Sequence, residues 1–280
     1  MISLDIGDII SNSFRFPFKD LKHLCIVFIL FALLLIIPFT TLLSGEAKFL
    51  IPLILLVFLL IAPGYFVSVV GAGINNSLEI PVINLGRNIV DTFKLIILHI
   101  CYIAIPSFLT FVILCFLTGF GVSSQFSGDF HNITIVSQGV NALLGSIQIT
   151  VIGTIIVQWV FSLLEYIARA RLANYHSLKE SLKIHKVIKD IRQIGVGKFV
   201  GWYLVMNILI AFIGAIFMLL LVIPYVGFII YLCVVIPILA LIHDYSLGLL
   251  YSEFSQENDG LDDFDKFEKE IQRLKYGLIN

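Results

Sequence analysis

Six apolar stretches, at about residues 24–43, 49–74, 95–118, 139–164, 199–222 and 226–246, limit what this chain can fold into more than any other feature. Each has about the ~20 residues that a helix needs to cross a ~30 Å hydrocarbon core. Lipid offers backbone groups no hydrogen-bond partner, so a crossing segment must satisfy its own amides. Helices do this, and the ten-residue alternation of a barrel strand is absent. The sequence thus predicts an all-α, polytopic membrane protein with six transmembrane helices within residues 1–250 and a separate tail, 251–280. Composition agrees, with 59% of residues hydrophobic and 13% charged, against roughly 25% charged in soluble domains. Asp5, Asp8 and Asp20 precede the first stretch and no small-residue cleavage site follows it, so it reads as a retained helix rather than a signal peptide.

Orientation follows from the cations. Of the eighteen Lys and Arg, three precede the first stretch, two lie between the second and third, eight between the fourth and fifth, and four in the tail. Lys48 alone falls in a loop on the other side. Short loops rich in Lys and Arg stay in the cytoplasm, which predicts a cell-membrane protein with both termini inside. The loop at about 119–138 has no Lys or Arg and carries Asn132-Ile133-Thr134, a glycosylation sequon placed for an outer loop. The matching Asn75-Asn76-Ser77 is expected inside, and so unmodified.

The connections hold a second kind of element. Residues 3–22 mix Leu4, Ile6, Ile9, Ile10, Phe14, Phe16 and Phe18 with Asp, Ser, Asn, Arg and Lys, which predicts an interfacial helix ending near Pro17. Its Gly7-x-x-Ile10-x-Asn12-Ser13-Phe14 is answered by Gly86-x-x-Ile89-x-Asp91-Thr92-Phe93. A weaker third copy spans 177–198 and opens on Ser177-x-x-Glu180, a capping-box pattern. There Ile184, Val187, Ile188, Ile191 and Ile194 share one face, with Lys179, Lys183, Lys186 and Lys189 towards the other. This is the pattern of a basic helix lying on anionic lipid head groups. Three repeated units, each an interfacial helix plus a transmembrane hairpin, are expected.

Three runs of residues, Asp5-Ile6-Gly7-Asp8-Ile9-Ile10 through Phe14-Arg15-Phe16-Pro17, Ala62-Pro63-Gly64-Tyr65, and Asn88-Ile89-Val90-Asp91-Thr92-Phe93-Lys94, carry a family resemblance. The chain resembles the uncharacterised archaeal multi-pass proteins of domain-of-unknown-function family 4013. Its layout is also similar to the membrane domain attached to some glycerophosphodiester phosphodiesterases. The resemblance covers most of residues 1–250; it implies no activity and carries over no catalytic residue.

Motifs for chemistry are few. Cys25, Cys101, Cys115 and Cys233 are isolated within the stretches and form no CxxC pair, so buried apolar packing is expected for them. No phosphate-binding GxxxxGK[ST] loop, HExxH zinc pair or GxSxG elbow occurs. No cofactor, metal or catalytic residue is assigned.

Ionisable groups at membrane depth remain: His99, Glu165, His243 and Asp244. One reading is interfacial anchoring with local pairing, Glu165 reaching Arg169 one helical turn on. The other is an inward-facing polar pocket of the third, fourth and sixth helices. In the fourth stretch Thr150, Thr154, Gln158, Ser162 and Glu165 recur at helical spacing, as interhelical glue or as the lining of a path. Residues 169–198 carry eight basic and two acidic side chains, whereas 251–280 carry eight acidic and four basic. The tail's Leu261, Phe264, Phe267, Ile271 and Leu274 form a helical stripe that predicts docking on the basic loop or on a partner.

These features point to a non-enzymatic scaffold, lipid-associated or membrane-assembly component. Its expected partners are the bilayer, anionic lipid head groups and other membrane proteins. Nucleic acid is excluded because the cations alternate with an apolar face. A small-solute transporter is the rival reading, and a membrane-embedded enzyme the weaker third.

Overall fold

A computed structural model describes residues 5–35, 50–125 and 133–252 of the chain. Helices α1 (Ile6–Arg15), α2 (Leu21–Ala32), α3 (Leu50–Ile74), α4 (Leu85–His99) and α5 (Ile105–Gln125) make the first half. In the second come α6 (Ile133–Tyr175), α7 (Leu178–Ser181), α8 (Ile184–Ile194), α9 (Val196–Met218), α10 (Val226–Ile230) and α11 (236–252). No strand occurs among the described residues.

Among the described residues five helices are long and apolar enough to cross a membrane: Ile51–Ile74, Leu85–Thr118, Asn141–Tyr175, Val196–Val222 and Val226–Ser252. The remaining expected crossing is described as Leu21–Leu35, and the rest of that stretch lies outside the described residues. Such a set of helices makes this a membrane protein. Asn132 and the tail stripe from Leu261 to Leu274 also lie outside the described residues.

The three expected copies differ in how they join their apolar helix. In the first, α1 is capped by Asp5, whose carboxylate accepts from the Ile6 amide, and a 3-10 turn at Phe16–Phe18 holds Pro17. Asp20 then caps α2 by accepting from the His23 amide. The third copy breaks at Gly195, at φ 95°, between α8 and α9. The second has no breaker between Gly86 and His99 and runs straight on, so the separate interfacial helix expected over 84–94 is the first turns of one long helix, Leu85–Thr118. Residues 177–194 are likewise two helices rather than one, with Leu182 and Lys183 between them, and 196–198 already belong to α9.

Two of the prolines leave a common signature. Pro106 and Pro237 each follow a π-turn, Ile100–Ala104 and Tyr231–Val235. A proline ring collides with the carbonyl four residues back. Here those carbonyls belong to Tyr102 and Cys233, inside the widened turns, where the i→i+5 pattern makes room. Pro224 ends a 3-10 turn, and the expected tight hairpin forms with Tyr225 at φ 59°. A Cβ on Gly227 would stand 1.7 Å from the Leu220 carbonyl oxygen. Gly227→Ala is therefore expected to open this hairpin at a cost of about 1–3 kcal/mol, read as a lower thermal midpoint in detergent.

The chain divides into two compact units, one within Met1–Leu95 and Arg169–Asn280, the other Ile96–Ala168. In the first, small residues let helix axes approach. A Cβ on Gly64 would meet the Asn88 carbonyl oxygen at 1.8 Å, and the Gly64 amide donates to Thr92 Oγ1 at 2.8 Å. Gly73 and Gly248 face each other in the same way across α3 and α11. Phe16 stacks on Tyr245 at 3.9 Å, and Phe199 and Trp202 stack beside His243. Aromatic bulk packs where the glycines are not. The second unit is an antiparallel pair, since His99 meets Glu165, a Cβ on Gly153 would touch the Leu114 side chain, and Thr118 meets Thr150.

Candidate functional site

The most connected polar feature is a buried cluster at the end of α6. Arg171, on α6, ion-pairs with Asp190, on α8, and both are almost wholly buried. Tyr251, on α11, donates its hydroxyl to the same Asp190 oxygen at 2.9 Å. Arg171 Nε also donates to the Glu180 carbonyl oxygen at 3.2 Å, and its guanidinium lies 5.1 Å from the centre of the Tyr175 ring. Three helices are thus tied through one carboxylate, a buried charge satisfied by a cation and a phenol together.

Beside the cluster, Glu180 accepts from Lys183 at 2.5 Å and from Lys186 at 2.8 Å. Those two ammonium groups hold its carboxyl down at about 2. The expected capping box does not form. Ser177 makes no side-chain cap bond to α7, and Glu180, which would return the second bond, spends its oxygens on the lysines.

A second feature is a polar cavity of about 1290 Å³ built from the ends of α2, α3, α4 and α6. Arg87 and His176 line it, and an Arg87 Nη2 hydrogen lies toward His176 Nε2 at 3.2 Å. A guanidinium can only donate, so the ring nitrogen it meets must offer a lone pair. Burial, and then the Arg87 charge, push the His176 pKa below its ordinary value. Elsewhere in the lining Asp20 holds His23 at 2.5 Å, and that hydrogen bond lowers the Asp20 carboxyl. Asp91 is bound by Lys94 at 2.8 Å and approached by Arg87 at 3.6 Å.

The residues singled out from sequence are distributed as follows. His99 Nδ1 and Glu165 Oε1 lie 3.0 Å apart in the second unit. Arg169 turns instead to Asp244, at 2.7 Å, in the first unit, where His243 Nδ1 is 3.2 Å from the other Asp244 oxygen. The expected Glu165–Arg169 pairing is thus replaced, because each partner has a longer-range mate.

Along α6 the hydroxyls turn inward on their own helix. Thr154 donates to the Thr150 carbonyl oxygen at 2.8 Å and Ser162 to that of Trp159 at 2.7 Å. The Thr150 hydroxyl meets that of Thr118 at 3.4 Å, and Gln158 is exposed. Hydroxyls satisfied this way cost a lipid-facing helix little.

Among the four candidate lipid-contact lysines, Lys183 and Lys186 are engaged by Glu180, while Lys179 and Lys189 are exposed. Cys233 is buried as expected, but Cys25, Cys101 and Cys115 are exposed on outward faces of apolar helices. Small apolar thiols fit there when the surrounding medium is hydrocarbon.

Sequence reasoning missed the Arg171–Asp190–Tyr251 cluster, although a signal was present. Asp190 shares a helix face with Val187, Ile191 and Ile194, and a lone acid among apolar neighbours needs a partner. Among the described residues no group of three or more His, Cys, Asp and Glu is placed to hold a metal ion.

Comparison with curated proteins and with solved structures gives no match. A family model described as "Protein of unknown function (DUF4013)" matches residues 47–223, which take in α3 to α9 with the Arg171–Asp190 pair and most of the cavity wall. The chain belongs to that family.

Proposed function

We propose that this chain is a multi-pass membrane protein, both termini cytoplasmic, which acts without catalysis as a lipid-associated scaffold and grips anionic head groups through α8. The observation that carries this reading is the outer face of α8. Ile184 and Ile188, one turn apart, are exposed rather than packed on the protein, and Lys189 and Arg192 stand beside them, also exposed. Two isoleucines left bare beside two cations suit a helix lying in the head-group layer, with apolar side chains in the acyl boundary and ammonium groups among phosphates. The adjoining flank, with Val187 and Asp190, is buried in the first unit, so the helix is held in that attitude. Lys179 extends the same basic surface, and Lys183 and Lys186 contribute as far as Glu180 releases them.

The test is retention of anionic lipid by the purified full-length chain. Each Lys or Arg near a charged surface contributes ~1 kcal/mol, about fivefold in affinity. Lys189→Gln and Arg192→Gln should each lower retained phosphatidylglycerol by about that factor, measured by native mass spectrometry. Glu180→Gln should raise it, by freeing Lys183 and Lys186. The Glu180 contacts have a pH window of their own. With its carboxyl lowered to about 2, their contribution is present above its unfolded value and is lost only as pH falls through about 2. Retention indifferent to all three substitutions would remove α8 from the proposal.

A further inference from the structure

The cavity between Lys19 and His176 has two properties that a simple surface cleft lacks. Its walls are the start of α2, the end of α3, the start of α4 and the end of α6, together with the connection 75–84 between α3 and α4. If these helices cross a bilayer, as proposed above, all four ends lie at head-group level. One part of its lining is also bare hydrocarbon, with Leu78, Val82 and Leu85 respectively 47%, 67% and 58% exposed. An apolar lip beside a polar interior suits a ligand that is itself amphipathic.

The polar groups say which head group fits. Arg87 is pinned by Asp91 at Nε and by His176 at Nη2, which leaves Nη1 without a partner among the described residues. A guanidinium already oriented, with one donor edge open, is suited to a phosphate. Lys19, in the same lining, forms no ion pair among the described residues, and neither does Glu79. Asp20 and Asp91 are occupied by His23 and Lys94. The cavity therefore offers the open donor edge of Arg87, the cation of Lys19 and the carboxylate of Glu79, the last two without an ion pair among the described residues.

We infer that this cavity holds the head group of a zwitterionic, amine-bearing phospholipid, with the phosphate on Arg87 and Lys19, the amine on Glu79, and the acyl chains leaving over Leu78, Val82 and Leu85. At about 1290 Å³ it exceeds the ~300–1,000 Å³ usual for small-molecule sites. That leaves room for the glycerol as well as the head group. The site rests on the multi-pass reading but is separate from the anionic contacts of α8.

The test uses the full-length chain in nanodiscs of equal phosphatidylethanolamine and phosphatidylglycerol, with lipids retained after detergent extraction counted by native mass spectrometry. The wild-type chain should keep phosphatidylethanolamine at about one per chain. Lys19→Gln and Arg87→Gln should each lower that at least tenfold, and Arg87→Lys should lose less, which separates lost charge from misfolding. Glu79→Gln should shift the preference to phosphatidylglycerol. Lys189→Gln and Arg192→Gln should leave the ethanolamine lipid in place, so failure of the α8 reading and failure of this one are told apart. Unchanged retention in both Lys19→Gln and Arg87→Gln would overturn the assignment, leaving annular lipid only. Displacement of the lipid by millimolar inorganic phosphate would overturn it too, as a site for free phosphate.

Discussion

Arg171→Met is expected to destabilise the protein by about 3–5 kcal/mol, because it leaves the Asp190 carboxylate buried without its cation. Asp190 is nearly inaccessible, and the Tyr251 hydroxyl that also reaches it is neutral, so one hydrogen bond would have to offset the desolvation of a full charge. Thermal unfolding in detergent should show a midpoint many degrees below wild type, together with protease cleavage between α6 and α9. The informative control is Arg171→Met combined with Asp190→Leu. Removing both charges and filling the space should recover most of the loss, since a buried ion pair is worth little against well-packed apolar groups even though half of one is very costly. If Arg171→Met alone melts where wild type does, the cluster is not what ties α8 to α6.

A loss of similar size is expected from Gly248→Val. The contact at this position is backbone on backbone. A Cβ there stands 2.2 Å from the Val70 carbonyl oxygen and 2.7 Å from the Gly73 Cα. No rotamer change can relieve such a collision, so α3 and α11 must separate along their whole crossing. Tyr245, one turn earlier on α11, would lose its stack on Phe16 as the helices part. The cost should exceed about 3 kcal/mol, the upper end for ordinary overpacking, and appear as a collapsed monodisperse fraction on size-exclusion chromatography. Gly248→Ala already introduces the colliding atom and should fall most of the way. A well-folded Gly248→Ala at wild-type midpoint would mean that these helices are not held at this distance.

Much of the helix inventory was legible because hydropathy and length report directly on what solvent a helix meets. Helix ends were less so. Hydropathy closes the fourth stretch near residue 164, yet α6 continues to Tyr175, because Arg169 and Arg171 find Asp244 and Asp190 and need not reach water. A cation ends an apolar run in sequence, but a buried carboxylate lets the helix carry on. The break before α2 was readable from Pro17. That before α9 rests on the φ of Gly195, which the sequence permits without demanding. The cavity was the least visible feature, since Lys19, Glu79, Arg87 and His176 come from four separate parts of the chain. No local spacing connects them. His99 and Glu165, 66 residues apart, meet at 3.0 Å, and Arg169 pairs with Asp244 rather than Glu165, because spacing along one helix says nothing of a neighbouring one.

The widened turns ahead of Pro106 and Pro237 change how substitutions around them should be interpreted. A helical wheel advances about 100° per residue at constant pitch, and a π-turn takes up one residue more than that pitch allows. Projections drawn straight through Ile100–Ala104 or Tyr231–Val235 thus slip by one position, assigning lipid-facing residues to the interior and the reverse. Scanning mutagenesis across either helix has to be phased separately above and below the proline. A single-residue deletion inside either turn should be better tolerated than one elsewhere in the same helix, because it restores the regular pitch on both sides.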